Sequence, residues 1–442
     1  MFKKSTFLLM VAMMMLGWMT SAWGQTKLPY GLKPGKPYDG TKISILLHPS
    51  KQNEAIKQRT NKFTEITGIK VEYDVTPYGS LLEKITSEAV AGTGVHDAFI
   101  SSSPWGPSLQ QYILPLDNYV KESGIDMKGY PKVYVDACTY GGKLIGMPYR
   151  GHPQLLFYRK DIFKKLGLNP PKTWAELESV AKTIKEKTNL YGISPYYAKG
   201  TSMQNLFVWS TYLWSNKADL FDKNWKPIFN NAAGVEATQR YVDPLLKQKV
   251  APPGSVTYNE YEGVQSVAQG ESAMVIVWWW VYSVLNDPSV AKPEVAGNIG
   301  AVPAPGWEGK DKGTNALLMP LCMFASSKHK EATWEWMKWA TSPELEKERV
   351  LDKSNPKTTE IVMVNWSTFR DPEVNKAWDG LPAEGAKSLE VAKFFPLIPE
   401  WPEVSSVLEI AINDIATGKP TKETLDRAAK EVEGIMKRSR GK

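Results

Sequence analysis

The stretch that decides the fold runs from Gly142 to Leu177 and reads GKLIGMPYRGHPQLLFYRKDIFKKLGLNPPKTWAEL. Leu155, Leu156, Phe157 and Tyr158 form a short apolar run suited to a buried strand. Pro170 and Pro171 stop whatever precedes them, because proline lacks the amide that a helix or sheet ladder needs. Thr173 followed three residues later by Glu176 is a capping box, in which hydroxyl and carboxylate each satisfy an orphan helix amide. Leu177, Val180, Ala181 and Ile184 then recur at helical spacing. The segment therefore predicts strand, turn and helix in one α/β unit.

Upstream, the same alternation repeats. Strands are expected at Ile43–Leu47, Ile69–Val75 and Asp97–Ser101. Between them lie one helix marked by Ile56, Phe63 and Ile66 and ended by Gly68, and another marked by Leu81, Leu82, Ile85, Ala89 and Val90. This order predicts a parallel sheet with covering helices. Ligands of such sheets bind beyond the carboxyl ends of the strands. The loops carrying His48, Ser102, Ser103 and Trp105 are therefore candidate walls of a site. Downstream, Gly270–Ile276 reads as another buried strand, running into Trp278, Trp279 and Trp280. Alternation along a strand sends Trp278 and Trp280 to one side and Trp279 to the other.

These motifs resemble extracellular solute-binding proteins of family 1, the sugar-capturing subunits of ABC importers that include the maltose-binding proteins. The resemblance rests on the Gly142–Leu177 segment, on Thr67-Gly68-Ile69-Lys70-Val71, on Ala91-Gly92-Thr93-Gly94-Val95-His96-Asp97 and on Leu114-Pro115-Leu116-Asp117. It continues through Gly270-Glu271-Ser272-Ala273-Met274, Asn298–Pro305, Ser326–Ala332 and the closing Ile398-Pro399-Glu400-Trp401. It implies an α/β, two-lobed periplasmic binding protein fold of type II, with three hinge crossings and a ligand cleft between the lobes. The lobes would comprise residues 25–149 with 304–345, and 150–303 with 346–442. It also implies a monomer that binds a carbohydrate or polyol, closes about its hinge and delivers the ligand to a permease. Maltose-binding relatives stack a tryptophan at the position of Trp280 on the sugar, whereas Ser405 stands where they carry another.

The amino terminus reads as a targeting signal. Lys3 and Lys4 precede an apolar core from Phe7 to Trp18, and Ala22-Trp23-Gly24 offers small residues for cleavage before Gln25. No cysteine follows the core to carry a lipid anchor, so the expectation is a free periplasmic chain. Of 442 residues, removing 24 leaves 418, enough for two or three ordinary domains. The net charge of +7 falls to +5 without Lys3 and Lys4, and the lysines are scattered among acids. That pattern gives no nucleic-acid stripe.

Enzyme motifs fail: there is no phosphate loop, no H-E-x-x-H, no C-x-x-C and no G-x-S-x-G. His48, His96, His152 and His329 lack metal-ligand spacing, and no cofactor is expected. A secreted glycoside hydrolase is the alternative, because its carboxylate pair need not be close in sequence. Seventeen tryptophans need weighing. Most pack a core, but Trp105, Trp209, Trp280 and Trp401 lie where strands or loops end. A sugar ring offers an apolar face to such rings and a polar rim to placed donors and acceptors. Arg150 and His152 could supply the polar part, although a salt bridge near the hinge would also account for Arg150. Cys138 and Cys322 are either a disulfide or two buried thiols.

Overall fold

A computed structural model describes residues 28–309 and 312–440. The expected signal peptide and its cleavage before Gln25 lie outside the described residues. Strands β1 (Lys42–Leu47), β2 (Lys70–Val75) and β3 (Ala98–Ile100) lie in the order β2-β1-β3, all parallel. The helix Lys51–Thr67 starts on Ser50, whose side chain accepts from the Asn53 amide, and ends at Gly68 with φ 74°. A side chain at Gly68 would also strike Asp39, so glycine is required there twice over.

A small hairpin of β4 (Thr139–Tyr140) and β5 (Lys143–Leu144) leads into β6 (Met147–Arg159), the long strand of the molecule. Twelve of its 13 residues are buried, so the polar side chains of Arg150, His152, Gln154 and Arg159 are enclosed along with its apolar ones. Strand β7 spans Met274–Trp278, β8 Ile299–Pro303, β9 Thr314–Met323 and β10 Ala392–Lys393. The first half of β6 pairs antiparallel with β9, from Met147 opposite Leu321 to Pro153 opposite Ala316. Its second half pairs antiparallel with β7 and β8. Strand β9 in turn pairs antiparallel with β3. Strands β6 and β9 thus run through both lobes and join them into one sheet system.

This register sets the direction of every nearby strand. Ile100, at the end of β3, faces Leu321, which also faces Met147. Trp278, at the end of β7, faces Gln154. The carboxyl ends of β1 and β3 in one lobe, and of β7 in the other, therefore converge on the middle of β6, at His152–Gln154. Gly151 is pinned there by close approach, since a Cβ would lie 2.5 Å from the Tyr134 ring.

Helices close the core. The helix Trp174–Lys187 begins on Thr173, whose hydroxyl accepts from the Glu176 amide as expected, but the Glu176 carboxylate accepts from the Lys172 amide rather than from Thr173, so the capping box is only half formed. Trp334, Trp336 and Trp339 are buried on the helix Lys330–Ala340, with Trp339 against Phe63 at 5.2 Å. The helix Pro343–Leu351 packs on Lys51–Thr67 and Lys330–Ala340 and also on Trp366–Phe369 and Pro372–Ala377. The helix Leu381–Leu389 packs on β6 and β8, and Trp401–Ala416 packs on Gln204–Ser215 in the second lobe. Cys138 and Cys322 are buried free thiols.

Candidate functional site

The first lobe builds its wall from residues just past three parallel strands. After β1, His48 turns its Nδ1 to the Pro49 carbonyl at 2.8 Å, while the Asn53 side-chain amide donates to the His48 carbonyl at 2.7 Å. The His48 Nε2 is buried without a partner. After β2 comes Tyr78, stacked on Trp105 at 5.1 Å and meeting His48 edge-on at 6.2 Å. After β3 come Ser102 and Ser103, both buried, with hydroxyls that lack hydrogen-bond partners. Tyr78 keeps 37 % of its surface exposed. Burial raises its pKa; the Ser102 hydroxyl beside it opposes the rise, and the charge on Glu260 adds to it.

The floor is β6. Alternation puts Arg150, His152 and Gln154 on one face of that strand. Arg150 donates to both Glu360 oxygens at 2.6 and 2.8 Å, a buried bidentate pair. His152 is buried with Nδ1 unpartnered, and its pKa lies well below the ordinary value through burial and then the Arg150 charge. The same two causes bring His48 down to about 4. Both rings are therefore neutral at pH 7. Gln154 accepts from the Thr211 hydroxyl at 2.5 Å, leaving its Nε2 buried and unpartnered.

The second lobe contributes the end of β7. Trp278 is 2 % exposed and meets Phe207 edge-on at 4.9 Å. Trp280 is partly exposed and opens the next short helix, Val281–Leu285. Beside them stands Glu260, at the start of the helix Glu260–Ala268, which is fixed by a capping box between Asn259 and Glu262. The Glu260 amide donates to Gln204 at 2.9 Å. Burial pushes its carboxyl up to about 7, and the nearby indoles of Trp278 and Trp280 oppose the rise.

The structure thus brings together His48, Ser102, Ser103, Trp105, His152, Trp278 and Trp280. It places three candidates elsewhere. Trp279 is fully buried, stacked on Phe369 at 5.3 Å, because alternation turns it to the other side of the strand. Trp209 is fully buried and donates to Thr238 at 2.8 Å, as a core residue. Trp401 is 1 % exposed and stacks on Phe395 at 4.7 Å, which itself stacks on Phe207, one layer behind the wall. Arg150 shares the floor, but its charge is spent on Glu360. Sequence reasoning missed Tyr78, Gln154 and Glu260. Tyr78 follows a strand end as His48 does, and Gln154 continues the alternation from His152. The capping box around Asn259 was legible but said nothing of where Glu260 points. Among the described residues no cluster of three or more His, Cys, Asp or Glu could hold a metal.

The family model described as "Bacterial extracellular solute-binding protein" matches residues 47–347. The chain belongs to that family. It is 27 % identical over 421 residues to a probable amino-acid ABC transporter periplasmic-binding protein of Sinorhizobium fredii, covering 91 % of each chain. It resembles a ribitol-bound ABC transporter solute-binding protein of Agrobacterium radiobacter, with TM-score 0.76, 26 % identity and coverage of 90 % of this chain and 100 % of that one. It also shares the fold of maltose-bound MalE3 of T. maritima, at TM-score 0.78 and 22 % identity, covering 89 % and 100 %. The extracellular solute-binding fold is therefore the two-lobed type II arrangement expected from the sequence. No helix among the described residues is long and apolar enough to cross a membrane. In a solute-binding protein of this build, β6 and β9 are the strands that must flex when the lobes move.

Proposed function

We propose that this solute-binding protein captures a hydroxyl-rich small molecule, a sugar or polyol, between its lobes and hands it unchanged to the permease of an ABC importer. The observation that carries this reading is a set of buried, unpartnered polar atoms held between aromatic faces. His48 Nε2, Ser102 Oγ, Ser103 Oγ, His152 Nδ1 and Gln154 Nε2 lie between Tyr78 and Trp105 on one side and Trp278 and Trp280 on the other. Each buried polar atom left unpaired costs about 1–3 kcal/mol, which a ligand hydroxyl would recover. The aromatic rings would bury the C–H face of the same ligand. The ribitol carried by the Agrobacterium relative is in keeping with this chemistry.

An amino acid fits less well, despite the name of the Sinorhizobium relative. Its carboxylate would seek a cation, and Arg150 is already paired with Glu360. A glycoside hydrolase would need two carboxylates about 5–10 Å apart across the scissile bond. Glu260 is surrounded by Trp278, Trp280 and Tyr78, and Glu360 is engaged by Arg150. The mechanism is closure. Ligand contacts to both walls form together only in the closed state, so ligand shifts that equilibrium. We place the mature protein in the periplasm as a monomer, with no nucleic-acid partner. The same cleft would serve presentation to a chemoreceptor.

A thermal-shift screen over sugars, polyols and amino acids tests the reading, because a ligand bound to the folded state alone raises the melting temperature. A sugar or polyol should raise it and be recovered intact by chromatography, and small-angle scattering should show a smaller radius of gyration with that ligand. A response to amino acids only, or conversion of the sugar, would overturn it.

A further inference from the structure

Away from the cleft, the first lobe holds a histidine between two carboxylates. His96 stands two residues before β3, with 6 % of its side chain exposed. Its Nδ1 lies 2.6 Å from Glu88 Oε2, and its backbone amide donates to Glu88 Oε1 at 2.6 Å. Its Nε2 lies 3.3 Å from Asp74 Oδ2. Glu88 belongs to the helix Tyr78–Ala91 and Asp74 to β2. Because β1 lies between β2 and β3 in the sheet, the ring reaches across β1 to meet Asp74. Lys84, on the same helix as Glu88, donates to Asp74 at 2.7 Å and to Thr76 at 3.1 Å.

A neutral imidazole carries one N–H and one lone pair, whereas the imidazolium carries two N–H donors. Only the imidazolium can donate to Glu88 and Asp74 together. A neutral ring turns a lone pair towards one of the two carboxylates. The charged groups on the adjoining segments are engaged elsewhere or lie further off. Asp97 accepts from the Ser44 amide at 2.9 Å and from the Ser327 hydroxyl at 2.7 Å. Lys328, His329 and Lys330 follow Ser326, whose carbonyl approaches Gly94, and Lys330 donates to the Ser327 carbonyl at 2.8 Å. Burial pushes the His96 pKa down, but the Glu88 hydrogen bond and charge, followed by the Asp74 charge, outweigh burial and Lys84 and hold it above the ordinary value.

The helix above His96 has a small apolar grip. Tyr78–Ala91 buries Leu81, Ile85 and Ala89, whereas Lys51–Thr67 buries seven residues. Strand β2 is an edge strand with no fully buried residue. The polar cluster therefore carries a large share of the attachment. Tyr78, the first residue of this helix, is the wall residue stacked on Trp105.

We propose that His96 is a pH-responsive brace: as an imidazolium it joins the helix Tyr78–Ala91 to β2 and steadies Tyr78 in the first-lobe wall, and as a neutral ring it releases that joint. Lys84 keeps its own link to Asp74, so release loosens the helix without freeing it. The brace acts whatever ligand the cleft takes and stands apart from the sugar reading. Its contribution is fully present below the ordinary histidine value of 6.5 and is lost as pH rises through the higher folded value.

Hydrogen–deuterium exchange on the ligand-free protein tests it, with Lys51–Thr67 as internal reference and rates corrected for the intrinsic pH dependence of exchange. From pH 6 to pH 8.5, peptides covering residues 78–91 should lose protection about fivefold or more relative to that reference. His96→Gln carries no charge at either pH and should show lower protection at pH 6 and no such step. Glu260 titrates over the same range in the second lobe, so the comparison with His96→Gln carries the assignment. Wild-type protection that does not change with pH overturns the proposal. A full step in a folded His96→Gln overturns it too. Should His96→Gln fail to fold, Asp74→Ala removes the partner whose side chain is 39 % exposed and should abolish the step. A full step in Asp74→Ala would equally sink the brace.

Discussion

The indole N–H of Trp279 donates to the carbonyl of Gly151 at 2.9 Å, tying the end of β7 to the strand that crosses between the lobes. Its ring stacks on Phe369 and leaves no room for a side chain at Gly385. Trp279 is therefore a structural pin behind the cleft. Trp279→Ala should lower stability by about 3–5 kcal/mol, from lost contacts and the cavity left behind. Chemical denaturation would show this as a lower midpoint, and a midpoint unchanged from wild type would remove the pin.

Trp280, one residue on, should behave in the opposite way. It is partly exposed beside Glu260 and Trp278 rather than packed in the core. Trp280→Ala should weaken binding by about 1–3 kcal/mol, as a truncated contact residue does. Its melting temperature without ligand should stay close to wild type. Calorimetry and melting on one sample separate the outcomes, and full affinity would pass the stacking role to Trp278.

The Arg150–Glu360 pair predicts a sharp asymmetry between single and double variants. Burial alone would raise the Glu360 pKa, but the Arg150 charge and its hydrogen bonds carry it below the ordinary value. Arg150→Met leaves a buried carboxylate unpaired and should cost about 3–5 kcal/mol. Adding Glu360→Met should recover much of that loss, because the uncompensated charge is gone. A double variant as unstable as the single one would show that the pair does more than balance itself.

Much of this was legible in the chain. The strand ends at His48, at Ser102–Ser103 and at Trp278–Trp280 follow from periodicity, and the direction of the sheet follows from strand–helix alternation. Trp279 and Trp280 were separated in principle by alternation, but which one faced the cleft depended on where β7 ended. Trp209 and Trp401 misled because tryptophan at the end of an element suits a core as well as a sugar. Arg150 misled because its partner Glu360 lies 210 residues away. Glu260 was invisible for the same reason: its environment is made by Trp278, Trp280 and Tyr78, none of them a sequence neighbour.

The opposed pKa shifts of Glu260 and His48 make stability depend on pH in two windows that overlap between pH 4.5 and 6.5, where their slopes oppose each other. Glu260 is raised from 4.5 to about 7 in the folded state. Its contribution is therefore fully present below pH 4.5 and lost as pH rises through about 7. Integrated over the shift, the loss amounts to at most about 3 kcal/mol at pH 8. His48 is lowered from 6.5 to about 4, so its contribution is present above pH 6.5 and lost as pH falls through about 4. Glu260→Gln keeps the shape without the charge. It should melt higher than wild type at pH 8 and the same as wild type near pH 4.5. His48→Gln should flatten the fall in stability between pH 6.5 and 4 and leave the high-pH limb unchanged. Circular dichroism melts across pH 4–8.5 on the three proteins check both limbs. A Glu260→Gln variant that melts below wild type at pH 8 would mean that the ionised carboxylate stabilises the closed walls through Trp278 and Trp280 by more than its burial costs.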